Sequence, residues 1–384
     1  MTNLWRTSKT NQRIRFEEGL ELLVHAPLHE LQEKAMKIRY KKNPTQHVTF
    51  VLDSNPNYTN ICNVDCSFCA FFRHEEASDA YTKTVDEVLK HLALARRAGL
   101  STVLLQGGLN KNLDLSYYVN LVEQARKEYP DIHPHFFSAP EIWHCAEVSH
   151  VTVREVLQAL YDAGQRTLPG GGAEILSERV HAKVSPKKIT PNMWIEIHKV
   201  AHQIGFRSTA TMMYGHVEEP EDVLIHLEAL RLAQDESGGF TAFIPWSYKP
   251  ERTALGRHVK TWAGKTAYLR IIAFSRLYLD NFDHIQATWF SEGKETGIES
   301  LHYGADDFGG IILEENVHRA ANFINKTDHQ SIISMIRQAG FKPLQRDPLY
   351  NIVRSYDHDE EVDIPEAQCI KENDSIAILS RDAS

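Results

Sequence analysis

The chain has 384 residues, with 42 basic and 51 acidic side chains and a formal charge of −9. Hydrophobic residues make up 42% and charged residues 24%, which excludes a disordered, collagen-like or low-complexity protein. The acidic balance argues against a nucleic-acid partner, and no apolar run approaches the ~18–20 residues that cross a bilayer.

The opening segment, MTNLWRTSKTNQRIRF, has no apolar core and does not read as a secretory signal, so the expected compartment is the cytoplasm. Residues 1–47 read as a helical layer. In LHELQEKAMKIRYKK, residues Leu28, Leu31, Ala35 and Ile38 fall on one helical face. HVTFVLDSN then predicts the first strand. Strand-like runs follow at 102–105, 132–137, 166–168, 206–213, 240–244 and 284–288, and an eighth near Leu301–Tyr303 would close a barrel. Helix-like segments such as 86–98 and 116–128 lie between them, the first stopped by Ala98-Gly99. This alternation predicts an α/β fold, a (β/α) barrel of eight parallel strands, over residues 48–325. Residues 326–384 form a C-terminal extension, acidic and loosely ordered from about residue 358. Polar and glycine-rich residues gather at the strand ends, where the active site of such a barrel sits.

Five cysteines is an odd, low count that argues against a disulfide framework. Three of them, Cys62, Cys66 and Cys69, follow the first strand at C-x3-C-x2-C spacing, whereas Cys145 and Cys369 are isolated. A [4Fe–4S] cluster normally takes four thiolates, so three would leave one iron open to a small molecule. A zinc site completed by His74 is the bland alternative, but no second cysteine pair supports it. Unrelated buried thiols are another, and the tight spacing weighs against them.

The motif NYTNICNVDCSFCAFFR resembles the radical S-adenosylmethionine (SAM) enzymes. The resemblance implies that Cys62, Cys66 and Cys69 hold the cluster and that SAM chelates its open iron. An electron from the cluster would then yield a 5′-deoxyadenosyl radical. It also implies that Phe68 approaches the adenine and that Gln106-Gly107-Gly108 receives the methionine amino group. Further segments, LLQGGLN, HFFSAPEI, LPGGGAEIL, TATMMYGHVEEP, GGFTAFIPWSYKP and YGADDFGGIILEENV, resemble the cyclic dehypoxanthine futalosine synthases of menaquinone biosynthesis. Their sisters are the aminofutalosine synthases and the halves of the deazaflavin (FO) synthase; LPGGGAEIL and FIPWSYKP stand nearer the cyclising enzymes. Asp306-Asp307 departs from the Asn-Asp of the pattern and would alter a polar contact near the barrel mouth.

By this resemblance Ser138 and Glu174 contact SAM. Glu174 follows Gly170-Gly171-Gly172, which read as a tight turn admitting a ligand, and a helix start is the competing reading. His216, at the end of the fifth strand, and Glu314, near the last, are the candidate catalytic residues. His133 and His135 point to one side of their strand, into the lumen or the core. Phe243-Ile244-Pro245-Trp246 reads as a dry wall against the radical. The implied substrate is dehypoxanthine futalosine, whose sugar radical adds to its own benzoate ring, and the implied partner is an electron donor such as flavodoxin or ferredoxin. An iron–sulfur electron carrier or structural zinc protein is the non-enzymatic rival.

Overall fold

The computed structural model describes residues 13–310 and 313–356; the acidic tail and Cys369 lie outside the described residues, as does the side chain of Glu314. Helices Phe16–His25 and Leu28–Lys42 form the expected first layer. On the second helix Leu31, Ala35 and Arg39 are buried, while Leu28 and Ile38 are half-buried at the stripe's edges. Arg39 is buried because its guanidinium donates to the carbonyls of Thr45 and His47, at 2.7 and 2.6 Å, and steers the chain into the first strand.

In chain order the strands are β1 (His47–Phe50), β2 (Asp53–Asn55), β3 (Thr102–Leu105), β4 (His133–Phe136), β5 (Thr167–Leu168), β6 (Arg207–Tyr214), β7 (Phe240–Ser247), β8 (His284–Ile285), β9 (Leu313–Glu315), β10 (Lys342–Arg346) and β11 (Ile352–Ser355). Among the described residues the barrel strands form two parallel sheets, ordered β4-β3-β2-β9 and β5-β6-β7-β8. They are not one continuous hydrogen-bonded ring. Side chains stitch the β4–β5 seam. His133 Nε2 and His135 Nδ1 each lie 2.8 Å from Thr167 Oγ1, and Gln165 donates to the carbonyls of Phe136 and Thr167. Both histidines therefore share one side of β4, as alternation requires. Near the other seam Asp307 bridges to Thr49 and Gln286.

Two expectations change here. HVTFVLDSN is not one strand but two: β1 pairs with β10, which continues to β11, and the polar Asp53–Asn55 at its end takes the place beside β3. Leu301–Tyr303 is not the eighth strand. It is a 3₁₀ turn that prolongs helix Lys294–Ser300, and β9 lies beside β2 instead. The β1–β10 pairing also ties the C-terminal region to the start of the barrel.

Helix Val85–Arg97 shows how local sequence sets the outer layer. Thr84 and Glu87 form a capping box at its start, and Val88, Leu89, Leu92 and Ala95 face the strands. Gly99, at φ +73°, follows its end. Asp306 lies at the barrel end opposite the mouth, which corrects its expected position. Its buried carboxylate pairs with Arg276 and Asn43, accepts from His284 Nδ1 at 2.8 Å and from the Ile285 N–H at 2.9 Å. His284 and Ile285 form β8, and Asn43 follows the second helix just before β1. A groove of about 870 Å³ runs outside the barrel between helices Pro191–Ile204 and Pro220–Ser237, and no cysteine lines it.

Candidate active site

The cysteines lie on the long connection between β2 and helix Val85–Arg97, a stretch with no regular ladder to satisfy its backbone. Side chains do that work. Asn60 donates to the Asp79 carbonyl and accepts from the Tyr81 N–H, both at 2.8 Å. Arg73 donates to the carbonyls of Ala70, Phe71 and Phe72, while its own carbonyl accepts the Cys62 N–H at 2.9 Å. The Cys69 N–H closes a turn onto the Cys66 carbonyl at 3.1 Å. Burial pushes the Cys66 thiol up to about 12 against the opposing field of Lys188, with smaller upward contributions from Glu174, Cys69 and Cys62. Burial also raises Cys69, while the N–H groups of Phe72 and Phe71 favour its thiolate. The three thiols thus lie within one another's fields.

The QGG turn is fitted against this loop. A Cβ on Gly108 would lie 2.2 Å from the Ile61 carbonyl oxygen, so only glycine lets the turn after β3 meet the cysteine loop. The Gly107 N–H donates to Glu141 at 2.9 Å and the Gly108 N–H to the Thr59 carbonyl at 2.9 Å. The Gln106 carbonyl in turn accepts from the Asn57 side-chain amide at 2.9 Å, so the turn is held on both its donor and acceptor sides. Glu141 is fully enclosed and accepts four hydrogen bonds: from Tyr58 at 2.7 Å, the Gly107 N–H, the Ser138 N–H at 2.7 Å and the Ser138 hydroxyl at 2.5 Å. Burial raises its carboxyl, and these bonds work the other way. Ser138 is therefore the N-cap of helix Ala139–Ser149, held in the same hub as the glycine turn.

Glu174 is not in a helix; the next one is Glu178–Val184. At φ +45° it leaves the glycine turn and forms a buried ion pair with Lys188. Burial alone would lower the Lys188 ammonium, but Glu174 and then the Cys66 thiol hold it above its ordinary range. The ammonium also sits 5.2 Å from the Phe68 ring centroid. The glycines before Glu174 make room for the protein's own neighbours: a Cβ on Gly170 would meet the Thr209 carbonyl at 2.4 Å, and one on Gly171 the Gln106 amide at 2.3 Å. Phe68 lies in the cysteine loop and the Gly107-Gly108 turn packs on it, whereas Ser138 reaches it through Glu141 and Tyr58, Glu174 through Lys188, and Gln106 sits against Gly171. Lys188, Tyr58 and Arg73 escaped the sequence reading, and Glu141 was legible there only as the partner of Ser138 at the end of a strand. Lys188 belongs to the run PKK, which reads as a solvated face, and its pairing with Glu174 is tertiary.

The remaining expectations fare differently. His216 accepts from the Val217 N–H at Nδ1, 2.8 Å away, and Nε2 lies 2.9 Å from the Met213 carbonyl, so both ring nitrogens are spent on backbone. The wall 243–246 does not present one face. Phe243 and Pro245 are buried, whereas Ile244 and Trp246 are half-buried on the alternate side, as a strand dictates. Met212 and Met213 are core. Arg207 donates to the Gly238 carbonyl, an anchor at the start of β6. His74 lies exposed, 3.4 Å from Asp65. Among the described residues no group of three His, Cys, Asp or Glu side chains gathers as around a single metal ion.

A [4Fe–4S] cluster is bulkier than an ion and suits this loop. Cys62, Cys66, Cys69 and Cys145 are all free, and Cys145 is wholly buried in the outer helix Ala139–Ser149. Three soft sulfur donors on one loop, with backbone N–H groups at Cys69, fit an iron–sulfur donor set.

The comparisons with known proteins agree. Residues 56–230 match the Radical SAM superfamily, and residues 237–358 match the CofH/MqnC C-terminal region. The chain is 39% identical over 349 residues to the cyclic dehypoxanthine futalosine synthase of Halalkalibacterium halodurans, covering 91% of this chain and 94% of that one. It is 37% identical to the aminodeoxyfutalosine synthase of Thermus thermophilus over 91% of this chain and 95% of the relative. The fold is similar to the crystal structure of methylornithine synthase, with a TM-score of 0.68 and 18% identity over 87% of this chain and 95% of that one. With this loop, this strand order and these relatives, the chain belongs to the radical SAM superfamily, in the branch that carries the CofH/MqnC C-terminal region.

Proposed function

We propose that the chain is a radical SAM cyclase that converts dehypoxanthine futalosine to its cyclic form in menaquinone biosynthesis. The observation that carries this reading is the 39% identity to a cyclic dehypoxanthine futalosine synthase across nearly the whole of both chains. Cys62, Cys66 and Cys69 hold the [4Fe–4S] cluster, and Phe68, the Gln106–Gly108 turn, Ser138 and Glu174 surround SAM. When bound, these groups supply a carbon radical able to take hydrogen from the substrate sugar.

The chain's own part is positioning. The Glu141 hub fixes the QGG turn, whose carbonyls would accept from the amino group of SAM. Lys188 holds the Glu174 carboxylate in one place beside Phe68, ready to accept from ribose hydroxyls. Ile244 and Trp246 line a shared strand face and limit water and stray hydrogen donors. Such holding of reactants supplies a large part of the rate. His216 would have to give up its Val217 contact to act as a base, and Glu314 retains its candidacy from position alone. An electron donor such as flavodoxin or ferredoxin serves as the partner, and the cytoplasm as the compartment. Among the described residues no helix is long and apolar enough to cross a membrane.

Aminodeoxyfutalosine synthesis is the second reading, favoured by the 37% identity to that relative. Anaerobic incubation of reconstituted protein with SAM, dithionite and each candidate substrate, with products read by mass, separates the two. A spiro product from dehypoxanthine futalosine supports the cyclase; its absence beside an aminodeoxyfutalosine product overturns it.

A further inference from the structure

Two buried polar groups near the ends of β7 and β9 have no role in the cysteine loop or the SAM contacts. Lys249 follows β7 and is 6% exposed. Its ammonium donates to the Ser247 hydroxyl at 2.6 Å and lies against the rings of Trp262 and Phe323, 3.8 and 4.5 Å from their centroids. An ammonium has three donors, and two of these face no oxygen within hydrogen-bond reach among the described residues. The nearest carboxylate, Glu292, is 4.0 Å away and is already bound to the Ser247 N–H and the Ser291 hydroxyl. Phe323 also packs against His318, which is 8% exposed. Its Nδ1 lies 3.3 Å from a Glu315 oxygen, and neither ring nitrogen has a hydrogen-bond partner among the described residues. The ring meets Trp246 edge-on, with centroids 5.5 Å apart.

A buried imidazole nitrogen and a half-satisfied ammonium both cost free energy unless a ligand answers them. Phe323 touches both groups, with Trp262 against Lys249 and Trp246 against His318, and such flat surfaces suit an aromatic ring. Glu292 and Glu315 flank the two groups, so a phosphate dianion is repelled more strongly than a carboxylate monoanion. We infer that Lys249, His318, Trp246 and Phe323 form a subsite for the carboxylate and ring of an aromatic acid. Lys249 takes the carboxylate, the two rings flank the aromatic plane, and His318 Nε2 meets a polar substituent. The inference rests on the proposed reading, in which the substrate carries a benzoate.

The test uses reconstituted holoenzyme under anaerobic conditions, titrated calorimetrically with benzoate, benzamide and inorganic phosphate. Benzoate binds, and benzamide and phosphate bind at least about tenfold more weakly. Lys249→Met weakens benzoate binding about 10–100-fold, the loss expected for a charge-assisted contact, while Lys249→Arg keeps most of it; melting curves confirm that both variants fold. Equal binding of benzamide, stronger binding of phosphate, or unchanged benzoate affinity in Lys249→Met overturns the subsite. A separate turnover assay keeps the two claims apart. Lys249-dependent benzoate binding without spiro product leaves the subsite standing and removes the cyclase reading. Spiro product with an unchanged KM in Lys249→Met leaves the cyclase and removes the subsite.

Discussion

Lys188 and Glu174 are each almost wholly buried, so each is tolerable only because of the other. Glu174→Gln strands the ammonium and should cost about 3–5 kcal/mol of stability, the usual penalty for breaking a buried pair. The same change should weaken SAM binding about 10–100-fold. Replacing both residues, Glu174→Gln with Lys188→Met, should recover much of the stability but not the SAM affinity. Recovery of both would show that Glu174 serves only the ion pair. The cysteines make a second residue-level prediction. Cys62→Ala, Cys66→Ala or Cys69→Ala should each abolish bound iron after reconstitution, whereas Cys145→Ala should leave the iron content unchanged. Loss of iron in the Cys145 variant would reveal a fourth ligand and end the argument for an open iron.

At the scale of elements, Glu141 ties three of them together: the tyrosine before the cysteine loop, the turn after β3 and the first turn of helix Ala139–Ser149. Glu141→Ala leaves several buried donors without an acceptor, at about 1–3 kcal/mol each. The protein should unfold at markedly lower denaturant and retain less iron; Glu141→Gln, which keeps the shape, should fall between. A stability loss with full iron retention would mean that the hub supports the helix and not the loop. This residue could be read from HFFSAPEI only as half of a capping box, because Ser138 and Glu141 are three apart. Its bonds to Tyr58 and Gly107 join residues 83 and 34 positions away, which no local pattern encodes. The same limit explains the strands. HVTF has the composition of a strand and is one, but its partner is β10, almost 300 residues later. Leu301–Tyr303 has strand-like side chains yet continues a helix, since nothing in three residues distinguishes the two.

For the molecule as a whole, acid should be the weak point. Burial holds His133 down to about 4, His135 to about 3, His202 to about 4 and His226 to about 3. In the unfolded chain these imidazoles titrate near 6.5, so below that pH the unfolded state binds more protons than the folded one. Stability is therefore fully present above about 6.5 and falls as the pH drops toward 4. Thermal midpoints measured between pH 7.5 and pH 4.5 should decline steeply, and His135→Asn should flatten the decline. An unchanged slope in that variant would remove His135 from the account. The two histidines join β4 to β5 where no backbone ladder does, so their protonation would open the seam between the half-barrels.

The cysteine spacing, the strand–helix alternation and the glycine turns were legible because they are local. A cluster ligand set, a period and a tight turn each need only a few adjacent residues, and the family resemblance rests on the same short segments. The expected contacts Phe68, Gln106, Gly107, Gly108, Ser138 and Glu174 do gather around the cysteine loop. What the chain's order could not reveal was how each is held. The Lys188 partner of Glu174, the four donors of Glu141 and the spent nitrogens of His216 depend on backbone segments that meet only when the barrel forms. The tertiary structure also decided that Phe243–Trp246 splits between two faces, since strand alternation acts on every second residue whatever its chemistry. It decided, finally, that Lys249 and His318 both pack against Phe323: burial in three dimensions, not position in the chain, determines which polar atoms are left wanting a ligand.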